Sequence, residues 1–229
     1  YARILSALYA AGHYGPVISI TADGRELADL PAFEAPPEIA DLVVRVSPGP
    51  RFAFGRARIA PLAPDTTLPE GFAPGAPALS GLVAQAARAG IEGWRNAGHP
   101  KAALARQTLV ADHPKARLDA DLRLAPGPLL RFGPPDVAGT TQVRAARILA
   151  IAGLPVGAVY SPKAVADAEA RLRATGTFRA VRLIEGAARG TTLPLRIEVA
   201  DAPLRRLGAG AELASDEGLA LSAFWLHRN

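Results

Sequence analysis

The chain has 229 residues, 49% of them hydrophobic and 21% charged, with a formal net charge of +5 and no cysteine. That composition belongs to a folded protein with a core and excludes a disordered segment, and the missing cysteines exclude disulfides and thiolate metal sites. The arginines are spread along the whole sequence without aromatics between them, which reads as a basic, solvated surface able to draw anionic membranes or acidic partners, and not as a nucleic-acid module.

No charged-then-apolar leader opens the chain, so the start is expected to be a cut within a domain or a chain without its leader. Residues Tyr1 to Gly12 predict a helix, with Ile4, Leu5, Leu8 and Ala11 at helical spacing and glycine at its end. VISITA from Val17 predicts a strand, Asp23 to Ile39 a loop carrying Pro31, Pro36 and Pro37, and LVVRV from Leu42 a second strand. FAFGRARIA opens the next unit as a strand. A Pro- and Gly-rich loop follows from Pro61 to Pro77. Leu79, Val83, Ala86, Gly90, Trp94 and Ala97 then line one face of a long helix ending at Gly98, with Trp94 read as a core residue. ALARQTLVA and RLDADLRL predict strands joined by the turn ADHP, and Arg106 and Gln107 suit an edge strand that resists pairing with other chains. LLRFGPPDVAG opens a third unit as a strand. Val143 to about Ala152 is a helix. Ser161-Pro162, a side-chain cap followed by proline at the first helical position, begins another that turns Val165, Ala168 and Leu172 inward and stops at Gly176. FRAVRLIE and LPLRIEVA complete that unit. The most apolar run, from Ile148 to Tyr160, is too short for a membrane helix and is broken by Gly153, Pro155 and Gly157.

The chain repeats. DLVVRVSPGPRFAFGRARIA from Asp41 returns 78 positions later as DADLRLAPGPLLRFGPPDVA, and IEVADAPLRRLG is a weaker third copy with Pro203 and Gly208 in the places of Pro128 and Gly133. The helix ends AGHY, AGHP and TGTF repeat independently, with Leu8, Trp94 and Leu172 four residues before each glycine. Two prolines around a glycine leave one backbone donor in three residues, so no sheet ladder runs through that point. Pro48, Gly49 and Pro50, and again Pro126, Gly127 and Pro128, therefore read as stiff joints between units. Each full unit is expected to be strand, two helices, strand, strand, with helices covering one face of a three-stranded sheet in a two-layer α+β domain.

After Pro203 the pattern changes to a hairpin, LGAGAELA, SDEG and LALSAFWLHRN. Leu207, Ala209, Ala211, Leu213, Leu219, Leu221, Ala223 and Trp225 make one apolar face; Glu212, Ser222 and Phe224 fall on a mixed one. That alternation fits an outer-membrane barrel strand and fits an ordinary soluble hairpin equally.

Enzyme chemistry finds little support. Asp112-His113 and Ser215-Asp216 are adjacent turn residues that do not face one another as a base and its orienter must. His13, His99, His113 and His227 lack ligand spacing, and Gly208 and Gly210 lack the strand-to-helix setting of a nucleotide loop.

In their order and spacing, the junctions VSPGPRFAFG and LAPGPLLRFG, the ends GHY, GHP and TGTF, ADH before the last strand of the second unit, and YSPKAVADAEARLRATGTFRAVRL resemble POTRA repeats. These are the polypeptide-transport-associated domains of the outer-membrane protein assembly superfamily, here in its TamA-like branch. GAGAELASDEGLALSAFWLHRN resembles that family's first barrel hairpin, and the resemblance covers essentially the whole chain. It implies tandem β-α-α-β-β units followed by the start of a transmembrane β-barrel: the end of a first POTRA domain over 1–49, a second over 50–127, a third over 128–203, and the first barrel hairpin over 204–229. Two features depart from the family: His99 stands where a tyrosine is common, and most of the barrel, with its arginine-glycine-phenylalanine motif, lies outside the sequence, so insertase activity is not expected in this stretch alone. The resemblance further implies a periplasmic POTRA region of an outer-membrane protein, no catalysis and no cofactor. Its partners would be unfolded outer-membrane clients such as autotransporters, an inner-membrane-anchored TamB-like protein, and the outer membrane itself. A BamA-like or two-partner-secretion transporter is the alternative within the family. A small soluble hydrolase, the alternative outside it, would need a cleft of converging polar groups.

Binding would then run through backbone, an extended partner adding a strand to a sheet edge. In POTRA domains the strand after the helices is such an edge, which places candidates at Val17, Ser19 and Thr21, at Leu104, Arg106 and Thr108, and at Phe178, Val181 and Leu183. Proline at Thr108 or Val181, by removing a donor, is expected to weaken partner capture.

Overall fold

Helices in this chain stop where glycine follows them, and the strands that end at Ser47, Ala60, Ala125 and Leu193 stop at proline. The computed structural model describes residues 1–29, 38–203, 205–214 and 218–227; Pro31, Pro36, Pro37, Ser215 and Asp216 lie outside them. Helices α1 (Ala2–Ala10), α2 (Ser80–Asn96) and α4 (Pro162–Ala174) each run into a glycine with positive φ, +86° at Gly12, +96° at Gly98 and +65° at Gly176, a region that L side chains avoid. Ser161 caps α4 by accepting the Ala164 N–H, with Pro162 at the first helical position. α3 (Ala145–Ala152) ends at Gly153.

The two Pro-Gly-Pro elements are built the same way. Gly49 and Gly127 take φ of +70° and +69°. A side chain on Gly49 would meet the Gly15 carbonyl oxygen at 3.0 Å, and one on Gly127 the Lys101 backbone at 3.3 Å. The second residue beyond each element returns to the preceding helix end: Phe52 N–H donates to Gly12 O at 2.8 Å, and Leu130 N–H to Gly98 O at 3.0 Å. At the first joint His13 Nδ1 also lies 2.9 Å from Gly49 O.

The chain forms two compact units, Tyr1–Trp94 with Lys101–Gly127, and Arg95–Pro100 with Pro128–Asn229. In the first, β1 (Val17–Ala22) pairs antiparallel with β3 (Leu42–Ser47) and, at its end, with the short β2 (Arg25–Glu26). A second sheet has the order β4-β6-β5, with β4 (Ala53–Ala60) parallel and β5 (Ala103–Asp112) antiparallel to β6 (Arg117–Ala125). β6 alternates cleanly: Leu118, Ala120, Leu122 and Leu124 are buried under α2 with Phe52, Phe54 and Val83, while Arg117, Asp119, Asp121 and Arg123 occupy the other face.

In the second unit, β7 (Arg131–Phe132) pairs in parallel with β10 (Thr192–Leu193). A three-stranded sheet there has the order β8-β11-β9, from β8 (Asp136–Thr140), β9 (Phe178–Glu185) and β11 (Leu195–Asp201). Ile197 and Val199 of β11 pack with Ile148, Ala168 and Leu172 of the helices. The Arg95 guanidinium donates to Tyr160 Oη and to Glu185 Oε1, both at 2.6 Å, and Tyr160 donates to that same carboxylate oxygen at 2.7 Å. Burial first, then the Glu185 bond, hold the Tyr160 phenol far above its ordinary pKa. β12 (Arg205–Ala214) and β13 (Gly218–His227) form a hairpin whose register sets Leu207 against Trp225, Ala209 against Ala223, Ala211 against Leu221 and Leu213 against Leu219. The positions read as one apolar face therefore do lie opposite one another.

The structure departs from the sequence reading in five places. The second repeat has one helix where two are expected, because Pro61, Pro64, Pro69, Pro74 and Pro77 with Gly71 and Gly75 remove the donors a first helix needs. The opening strand of the third repeat is two strands, interrupted by Gly133-Pro134-Pro135, and its last strand is divided at Pro194. β1 lies between β2 and β3, so it is not an edge along its whole length. Trp94 is half-buried at the rim of the core, its Nε1–H donating to Pro61 O at 2.9 Å. Leu122→Ala is expected to cost about 3 kcal/mol and Trp94→Ala about half that, since the indole leaves a smaller enclosed cavity. Denaturant unfolding checks the order, and a larger loss for Trp94→Ala would put the ring in the core.

Candidate edge-strand binding site

In an antiparallel ladder, alternate residues direct both N–H and C=O towards the neighbouring strand, and the residues between them direct both away. An edge strand therefore carries an unpaired donor and acceptor at every second position, and what satisfies them decides whether the edge can take a further strand.

The three repeats place one residue at the same point. Ile20 faces Val44, Gln107 faces Leu122 and Leu183 faces Ile197, and Val44 and Leu122 stand 78 positions apart, as the joints do. In two of these places the outward donor is occupied. Ile20 N–H donates to Glu26 Oε1 at 3.0 Å, while Ser19 Oγ donates to Glu26 Oε2 at 2.6 Å. Leu183 N–H donates to Glu169 Oε1 at 2.8 Å. Beside it, Val181 O accepts from Arg173 Nη2 at 3.2 Å, and that guanidinium is ion-paired with Glu169. A Glu–Arg pair one helical turn apart on α4 thus supplies the acceptor and donor that an added strand would bring. The Glu26 carboxyl is held below its ordinary pKa, chiefly by the Ser19 hydroxyl and then by the Ile20 N–H. Because its folded value lies below its unfolded one, this cap is in place at neutral pH and is lost as pH falls through the lowered folded value.

Gln107 holds the third place. Among the described residues no side chain bonds the outward backbone of β5 around it. The order β4-β6-β5 makes β5 an edge, and its exposed residues run from Ala105 to Val110, with Leu109 and Val110 42% and 57% exposed. A register shift between Leu104 and Arg106 ends the regular ladder at one side of this stretch.

The sequence-predicted residues divide accordingly. Thr21 pairs with Glu26 on β2, Ser19 holds that glutamate, and Val17 stands exposed at the other end of β1. Phe178 and Val181 turn buried side chains into the core and only their backbones face outward; Leu183 is half-buried. Arg106 and Thr108 lie on the exposed face of β5, and Leu104 on the helix-covered face beside the bulge. By the alternation, the N–H of Thr108 faces β6 and that of Gln107 faces out. Proline at Thr108 would therefore break the ladder, and Gln107 is where it removes an outward donor. Sequence reasoning missed Gln107, Glu26, Glu169 and Arg173. A Glu–Arg pair at i, i+4 resembles any helix-surface ion pair, and nothing in its spacing shows that it reaches a strand.

Asp112 and His113 face different partners. Asp112 accepts from Lys115 N and pairs with its ammonium at 3.1 Å, while the His113 ring stands edge-on to Phe52 at 5.5 Å. Among the described residues no three His, Asp or Glu gather to hold a metal ion, and no helix is long and apolar enough to cross a membrane.

The fold is similar to solved POTRA structures. BamA POTRA3-5 of Haemophilus influenzae matches with a TM-score of 0.62 at 14% identity, over 87% of this chain and 78% of that one. BamA of Haemophilus ducreyi lacking POTRA domains 1-3 matches with a TM-score of 0.57 at 14% identity, over 75% of this chain and 34% of that one. No protein-family model and no curated protein matches the sequence. The likeness shows a mixed α+β fold of the POTRA kind.

Glu169→Ala is expected to uncover the β9 edge without unfolding the unit. Losing one charge-assisted hydrogen bond should speed amide exchange at Leu183 by roughly tenfold. Unchanged exchange would mean that the carboxylate does not occupy that donor.

Proposed function

We propose that this chain is the POTRA region of an outer-membrane protein assembly or translocation factor, facing the periplasm, and that it captures extended segments of unfolded clients by strand addition to β5. The observation that carries the reading is the uncapped edge at Gln107, where the equivalent donors at Ile20 and Leu183 are occupied by glutamates of the same chain. An incoming strand would bond the outward backbone of Gln107 and Leu109 and continue the sheet.

In this reading residues 1–49, 50–127 and 128–203 are successive POTRA domains, the two Pro-Gly-Pro elements are their joints, and 204–229 begins the barrel. Support for the last point is the register of β12 and β13, which sets apolar residues against one another along one face, with Leu207 and Trp225 78% and 66% exposed. An apolar band with an aromatic towards the strand end is what lipid contact requires. The junction and helix-end motifs favour a TamA-like protein that hands clients such as autotransporters to its barrel and meets a TamB-like partner. A second reading, a BamA-like factor, is supported by the likeness to the two BamA structures described above.

The test is binding of a labelled peptide of about ten residues taken from a barrel strand of an outer-membrane protein. Gln107→Pro, which removes an outward donor and leaves the β5–β6 ladder intact, is expected to weaken binding roughly tenfold; Leu183→Pro should leave it unchanged. Equal effects of the two, or none at Gln107, would overturn the reading.

A further inference from the structure

The exposed face of the β4-β6-β5 sheet carries its charges in ranks. Arg56 stands opposite Asp119 and Arg58 opposite Asp121, so each β4 arginine has a carboxylate across the ladder. On the other side of β6, Val110 faces Asp119 and Thr108 faces Asp121, but Arg106 faces Arg123. Two like charges directly opposite one another destabilise a sheet. Among the described residues neither guanidinium has an ion-pair partner. Both are exposed, and they line a groove of about 350 Å³ with Arg56, Arg58, Thr108 and Asp121.

Arg106 sits on the uncapped β5 edge, next to Gln107. A strand added antiparallel to β5 would make hydrogen-bonded pairs with Gln107 and Leu109, so the residues facing Arg106 and Thr108 fall at non-hydrogen-bonded pairs, where Cα atoms approach to about 4.5 Å and side chains lie closest. The side chain facing Arg106 points to the same exposed face and into the groove. We propose that β5 selects extended segments bearing an Asp or Glu at the position facing Arg106, the carboxylate bridging Arg106 and Arg123. Alternate residues of the same segment, facing Gln107 and Leu109 on the helix-covered side, would be apolar. The captured motif is an amphipathic strand with one acid on its polar face. This inference rests on strand addition at β5 and names the chemistry that addition prefers.

Two synthetic peptides of about ten residues, alternating valine and threonine and differing only in one central Glu or Gln, are titrated against the whole chain. The Glu peptide is expected to bind roughly three- to tenfold tighter. That preference should vanish in Arg106→Gln and in about 1 M salt, where the screening length falls to about 3 Å, while Gln107→Pro weakens both peptides. Arg106→Gln should melt no lower than the parent, since it removes a like-charge pair. Equal affinities for the two peptides, with Gln107→Pro still weakening both, would overturn the acidic preference and leave strand addition standing. Indifference of both peptides to Gln107→Pro would overturn strand addition itself. Displacement of the Glu peptide by phosphatidylglycerol vesicles, with vesicle binding lost in Arg106→Gln, would assign the two arginines to lipid and overturn the proposal.

Discussion

An antiparallel strand at the margin of a sheet cannot satisfy its own backbone: every second residue turns an N–H and a C=O away from the ladder. The chain meets this constraint in three equivalent places and resolves it in two ways. At Ile20 and Leu183 a glutamate from the same chain fills the gap, in one case from a two-residue strand that folds back and in the other from the surface of the packed helix. At Gln107 it is left open, on a strand of ten residues. The proposed capture of extended segments rests on that difference. Without it the repeats would be three copies of one scaffold with no reason to prefer any edge.

The repeated scaffold carries the same backbone restriction at its two Pro-Gly-Pro elements. Proline on both sides of a glycine stops the ladder, the glycine takes a conformation that L side chains rarely adopt, and the second residue beyond donates back to the preceding helix end. The same contact appears at Gly12 and at Gly98, so the repeat seen in the amino-acid order is also a repeat of hydrogen bonds. Charge is arranged over this frame with less symmetry. Among the described residues only the second repeat sets two arginines face to face, and it does so beside the open edge.

Much of this was legible in the sequence because it depends on side-chain period and on breakers. RLDADLRL reads as the strand that is β6, Ser161-Pro162 locates the start of α4, and the glycines locate the helix ends. The missing helix of the second repeat was written in five prolines, against the two-helix pattern expected of each full unit. What was not legible depends on register. Side-chain period tells which face a residue occupies but not which way its N–H points, so Thr108 was chosen where Gln107 carries the outward donor. Nor does spacing reveal that Glu169 and Arg173 reach past their own helix to bond β9. Trp94 looked like core because its position on the helix stripe is right; the stripe ends at the rim, where its indole N–H finds a carbonyl.

The most direct measurement is residue-level amide hydrogen exchange of the whole chain with and without a saturating barrel-strand peptide. Gln107 and Leu109 should exchange fast alone and become protected when the peptide is present, while Leu183 stays protected in both states. Protection that appears at Leu183 or Ile20 and not at Gln107 would contradict capture at β5.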